Sequence, residues 1–178
     1  MRIKTIGVMG SGKDHWSDLA EPLGRWIAAA GYNVLTGGGQ GVMLAVTHAF
    51  CSVPGRVGRS IAIIPTRADP LSGFVPLDGY PNPYVDVPII TPLPRREPDA
   101  GADTLSRNHV NILSSDVVIA LPGGPGTVDE ISLAQRFQRP FACFGPEQEF
   151  RAMGYGGYCL SSLDQVKTFI DATFAKAH

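Results

Sequence analysis

The chain has 178 residues, with 15 Lys and Arg against 16 Asp and Glu, a formal net charge of −1. This balance excludes the basic field that gathers nucleic acid, and no apolar run approaches the roughly 18 residues of a membrane span. Gly supplies 21 residues and Pro 15, yet 44% of the chain is hydrophobic and no G-X-Y period occurs, which excludes a collagen-like or low-complexity chain.

Residues 3–9 are mostly apolar and end in Gly10-Ser11-Gly12, the pattern of a buried strand and a tight turn. A helix follows. Asp18 and Glu21 have capping-box spacing, Leu19, Leu23, Trp26, Ile27 and Ala30 follow helical periodicity, and Gly31 marks the stop. Pro22 sits where a missing N–H is cheap if the helix begins at Asp18, and kinks it if the helix begins nearer Asp14. A second strand over 32–36 ends in Gly37-Gly38-Gly39-Gln40-Gly41, a small-residue helix covers 42–50, and a third strand covers 60–64.

Residues 65–98 hold nine of the fifteen prolines and are expected to form a long loop. Within it 85–91 has strand character, and Pro88 assigns it to a sheet edge or a bulge. A helix is expected over 103–114. The strand 116–121 is the clearest of all, and it ends in Pro122-Gly123-Gly124-Pro125-Gly126-Thr127. A helix over 128–137, a strand over 140–144 and a last helix opened by the capping box Ser162–Gln165 complete the chain. Continuous apolar strands alternating with helices predict one doubly wound, mostly parallel α/β sheet with helices on both faces, a single Rossmann-like domain over residues 1–178. In such sheets ligands bind beyond the carboxyl ends of the strands, and three of those ends here carry glycine clusters.

Two standard glycine-loop chemistries fail. Residues 7–14 fit a P-loop except at the last place, where Asp14 replaces the Ser or Thr that holds Mg²⁺. The dinucleotide fingerprint lacks its third glycine after both Gly10-x-Gly12 and Gly37-x-Gly39, and no acidic residue follows either by about 20 positions. The third cluster, residues 122–130, matches P-G-G-x-G-T-x-x-E. With the first strand and turn at 6–12, the second glycine loop at 36–43, Ile63-Ile64-Pro65, and Arg107 fifteen residues before Pro122, the chain resembles the Lonely Guy family of cytokinin-activating phosphoribohydrolases. Part of this superfamily also carries a lysine decarboxylase label, which nothing in this sequence supports. Asn108 and Asn111 stand where that family has lysine and methionine, and this Arg-Asn pair looks more like a sister branch that includes molybdenum cofactor carriers.

The resemblance implies a phosphorylated nucleotide or another phosphate-bearing small molecule as ligand. Its leading implication is hydrolysis of the N-glycosidic bond of a purine nucleoside 5′-monophosphate, to free base and ribose 5-phosphate. Its alternative is a non-enzymatic nucleotide or molybdenum cofactor binder. In the first case Arg107 and Glu130 are the catalytic pair: Glu130 holds a ribose hydroxyl or positions water, and Arg107 stabilises charge. The ligand-binding set is Gly10, Ser11, Gly38, Gly39, Asn108, Gly123, Gly124, Gly126 and Thr127, with the phosphate at the helix N-terminus. Thr127-x-x-Glu130 also satisfies a capping box that needs no ligand. His15 and His109 have no evident paired carboxylate and read as solvated or hydrogen-bonded. Cys51 reads as core, and Arg95-Arg96 as loop charges. No cofactor or metal is expected, since the three cysteines show no metal or disulfide spacing. They read as reduced thiols of a cytoplasmic protein. The same resemblance implies a homodimer, with neither nucleic acid nor membrane as partner.

Overall fold

A computed structural model describes residues 2–93 and 104–176. Seven strands form one parallel sheet: β1 (Thr5–Met9), β2 (Asn33–Thr36), β3 (Ser60–Ile64), β6 (Val87–Ile90), β7 (Val117–Ala120), β8 (Phe141–Phe144) and β9 (Cys159–Leu160). Their spatial order is β6-β3-β2-β1-β7-β8-β9. The chain builds outward from β1 in one direction as far as β6, then returns to β1's other side as β7. The topological switch point therefore lies between β1 and β7.

Side-chain alternation explains why both faces are covered. Ile6 and Val8 of β1, Val34 of β2, and Val117 and Ile119 of β7 point to one face. There they pack on α1 (Ser17–Ala29), α2 (Val42–Cys51) and α6 (Leu163–Ala175). Met9, Leu35, Ile63 and Val118 point the opposite way, toward Ile112 of α3 (Arg107–Leu113) and Leu133 and Ala134 of α4 (Pro125–Arg136). A strand buried on both faces reads as an unbroken apolar run, which is how 117–121 reads. The predicted Rossmann-like architecture is thus the observed one.

Local details depart from expectation. Helix α1 starts at Ser17, entered through Trp16 in a left-handed conformation (φ 46°). Asp18 lies inside the first turn instead of capping it, and Glu21 pairs with Arg25 at 3.3 Å. The reason lies just upstream. The Ser11 hydroxyl accepts from the N–H groups of Lys13 and Asp14, which closes the glycine turn and brings the chain into the helix early. Pro22 therefore falls in the second turn, where it removes one helical N–H.

The proline-rich stretch is not one long loop. It contains a two-stranded antiparallel hairpin, β4 (Thr66–Asp69) with β5 (Gly73–Pro76), and then the edge strand β6. The β4–β5 turn is stapled by Asp69, whose carboxylate accepts from the N–H groups of Leu71 and Ser72. Helix α3 begins at Arg107, capped by Ser106 and His109, so it is shorter than the expected 103–114. Asp103 and the pair Arg95-Arg96 lie outside the described residues. Sequence periodicity also passed over α5 (Glu147–Ala152) and β9, each too short to show a period.

Candidate functional site

The three glycine loops meet at the switch point. Ser11 joins them: its N–H donates to the Pro122 carbonyl (3.1 Å), and its own carbonyl accepts from the Val42 N–H (2.9 Å). The Ser11 hydroxyl is equally committed, donating to Asp14 at 3.1 Å as well as accepting from the turn. Ser11 thus occupies the predicted place, but its polar groups hold loops together. Two glycines are required by close approach here. A Cβ on Gly41 (φ 63°) would overlap the Ser11 carbonyl oxygen, and one on Gly123 would overlap the Thr127 hydroxyl. Gly10 lies against Val42, and Gly38 adopts φ 74° with its N–H held by Thr36 Oγ1.

The Pro-Gly-Gly loop opens α4. Its N-cap is Gly124 and its first helical residue Pro125, so Thr127 belongs to the first turn and Glu130 to the second. The capping-box reading of Thr127 and Glu130 is therefore excluded: the cap is two residues before Gly126, and Glu130 is turned to another helix. A Cβ at Gly124 or Gly126 would meet nothing within 4 Å. The backbone at the N-terminus of α4 is thus open, and the helix dipole there favours anions.

Helix α3 turns Arg107 to the strand ends and Asn108 and Asn111 to α4. All three are buried. Arg107 crosses the carboxyl ends of two strands, donating to the carbonyls of Ile63 (3.1 Å) and Gly37 (3.3 Å). Asn108 Nδ2 donates to Asp129 (2.8 Å), and Asn111 Nδ2 to Glu130 (3.1 Å). An amide–carboxylate ladder thus locks α3 to α4. Glu130 is only 9% exposed. Burial raises its pKa from the ordinary 4.5 to about 7, against the opposing pull of the Arg107 charge and the Asn111 hydrogen bond, with Asp129 pushing it further up. Its carboxyl group therefore holds its proton to a higher pH than an exposed glutamate does.

The structure brings Arg107, Asn108, Glu130, Thr127 and the glycines of all three loops together at one end of the sheet. His109 is removed from candidacy, since its ring nitrogen accepts from the Ser106 N–H and caps α3. His15 is exposed outside the first loop. Several residues of the site region were not foreseen. Asp129 partners Asn108, and its place inside the signature is the signal that was available. The loop N–H groups of Gly39 and Gly123 rest on the sulfurs of Met43 (3.4 Å) and Met153 (3.3 Å). Tyr80 and Asn82 reach the second loop from the proline-rich stretch, which carries no periodic signal. Among the described residues no three His, Cys, Asp or Glu side chains gather as a metal site, and no helix is long and apolar enough to cross a membrane.

Known proteins are similar to this chain over nearly their whole length. An uncharacterized protein of Archaeoglobus fulgidus is 29% identical over 171 residues, covering 91% of this chain and 98% of its own. The solved structure of the molybdenum cofactor binding protein of Rippkaea orientalis superposes with a TM-score of 0.69 at 29% identity, covering 98% of this chain and 99% of that one. The molybdenum cofactor carrier protein of Chlamydomonas reinhardtii does so with a TM-score of 0.70 at 26% identity and the same coverage. These similarities agree with the carrier-like branch that the Arg-Asn pair indicated. Residues 3–168 match the family's sequence pattern, and the chain belongs to the SLOG cluster4 family.

Proposed function

We propose that this protein binds a phosphate-bearing, pterin-type ligand of the molybdenum cofactor class as cargo, with the phosphate at the N-terminus of α4. The observation that carries this reading is the ladder Asn108–Asp129 and Asn111–Glu130. The role the resemblance gives Glu130, holding a ribose hydroxyl or positioning water, needs its carboxyl group directed at the sugar or its water. Here Glu130 is buried and hydrogen-bonded to Asn111 of α3. A cradle there, with open glycines at 124 and 126 at the N-terminus of α4, suits an anionic ligand without any bond being broken. The two similar cofactor-binding proteins, matched over nearly all of both chains, support the same ligand class.

The second reading is hydrolysis of a purine nucleoside 5′-monophosphate. It is favoured by Arg107 lying close enough to Glu130 to oppose its protonation, which supports the negative group that an oxocarbenium-like reaction needs beside the sugar. One experiment separates the two. The protein is titrated with molybdenum cofactor released from a molybdoenzyme under anaerobic conditions, and is separately incubated with AMP, GMP and IMP while free base is followed by chromatography. Saturable cofactor binding without base release is expected. Base release that disappears in Glu130→Ala establishes the hydrolase reading instead.

A further inference from the structure

The residues over the second glycine loop have no part in the phosphate cradle, yet they are fixed with unusual care. Asn82 is buried, and all of its polar groups are used. Its N–H donates to the Gly38 carbonyl (2.8 Å) and its Nδ2 to the Gly39 carbonyl (2.9 Å). Its Oδ1 accepts from the Tyr84 N–H (3.0 Å) and the Thr47 hydroxyl (3.2 Å). The effect is to pin residues 80–84 onto the loop that follows β2. Tyr80, two residues earlier, is thereby laid against Gly39. A Cβ there would come within 2.8 Å of the Tyr80 ring and 2.9 Å of its hydroxyl.

Around the same loop, Arg107 packs on Gly37, and the Met43 methyl group lies under Gly39 and 3.8 Å from a Cβ position on Gly12. The second loop is therefore bordered by a guanidinium, a thioether and a half-buried phenol ring. None of the three carries negative charge. A soft sulfur, a planar cation and an aromatic ring are the groups that pack on a flat, electron-rich heterocycle.

We infer that Tyr80, held by Asn82 over the second glycine loop, is a specificity-determining residue that contacts the planar heterocycle of the ligand while the α4 cradle holds its phosphate. This rests on the binding function proposed above and divides that ligand between two subsites. The phosphate subsite accepts any phosphate ester, and the Tyr80 subsite discriminates in favour of a fused heterocycle. The hydroxyl adds one hydrogen bond at the ring's edge.

The test compares wild type, Tyr80→Ala and Tyr80→Phe by calorimetric titration. Two probes carry a fused ring, GMP and molybdenum cofactor released from a molybdoenzyme, and one carries none, ribose 5-phosphate. Loss of a stacking partner lowers affinity by about tenfold or more. Tyr80→Ala is expected to weaken at least one ring-bearing probe by that factor and leave ribose 5-phosphate unchanged. Tyr80→Phe is expected to stay within about threefold of wild type for all probes. Equal weakening of ring-bearing and ring-free probes means that Tyr80 only shapes the loop, and overturns the inference, as does no change for any probe. Wild-type protein that binds ribose 5-phosphate but neither ring-bearing probe more tightly also overturns it, while leaving a phosphate binder. Wild-type protein that binds none of the three overturns the binding function itself, and the inference with it.

Discussion

Glu130 offers a test of the site that needs no ligand. Its folded-state pKa is raised to about 7 from an ordinary 4.5, so folding favours the protonated form. The linkage then has a definite sign. The contribution is fully present below about pH 4.5, declines as pH rises toward 7, and is lost above that. A tenfold change in proton affinity is worth ~1.4 kcal/mol, so carrying an ionised Glu130 costs the folded state about 3 kcal/mol at pH 8 relative to pH 4. Glu130→Gln keeps an acceptor for the Asn111 amide and removes the titration. Denaturant unfolding of both proteins at several pH values from 4 to 8 isolates this group, because every other titrating residue is common to the two. The stability of wild type relative to Glu130→Gln is expected to fall by about 3 kcal/mol across that range. A difference that stays constant with pH would refute the buried carboxyl group with a raised pKa.

Three further substitutions separate fold from site. Gly41→Ala forces a Cβ into the Ser11 carbonyl at a backbone φ of 63° and is expected to lose more than ~2 kcal/mol in denaturant midpoint analysis. Gly124→Ala, whose Cβ meets nothing, should leave stability within ~0.5 kcal/mol while weakening phosphate-ester binding measured by calorimetry. Asn82→Ala orphans the Gly39 carbonyl and the Tyr84 N–H, and should cost about 2 kcal/mol in thermal or denaturant unfolding.

What could be read in advance follows from physical range. The strand over 60–64 was legible to the residue, because an apolar run closed by proline has few other fates. The capping box Ser162–Gln165 was legible because both partners lie within four residues of each other. The hairpin Thr66–Pro76 was not: Thr-Arg-Ala-Asp carries no period-2 pattern, and the strand exists through pairing with β5 and the Asp69 turn. The site shows the same division. Arg107, Asn108 and Asn111 could be placed on one helix face by spacing alone. That this face meets Asp129 and Glu130, about twenty residues onward, depends on α3 and α4 packing on the same side of the sheet. Thr127-x-x-Glu130 misled for the opposite reason: local spacing is enough to spell a capping box, and only Gly124 at the N-cap shows that none forms.

The two thioethers beneath the glycine loops set the energetic character of an approaching anion's reception. Sulfur is a weak acceptor, so the N–H groups of Gly39 and Gly123, held at 3.4 and 3.3 Å from Met43 and Met153, are aimed without being saturated. An anionic oxygen reaching either N–H would displace a feeble bond and gain a charge-assisted one, with no carbonyl left orphaned behind it. A sulfoxide oxygen on either methionine would instead be a strong acceptor and would hold that N–H back from an anion.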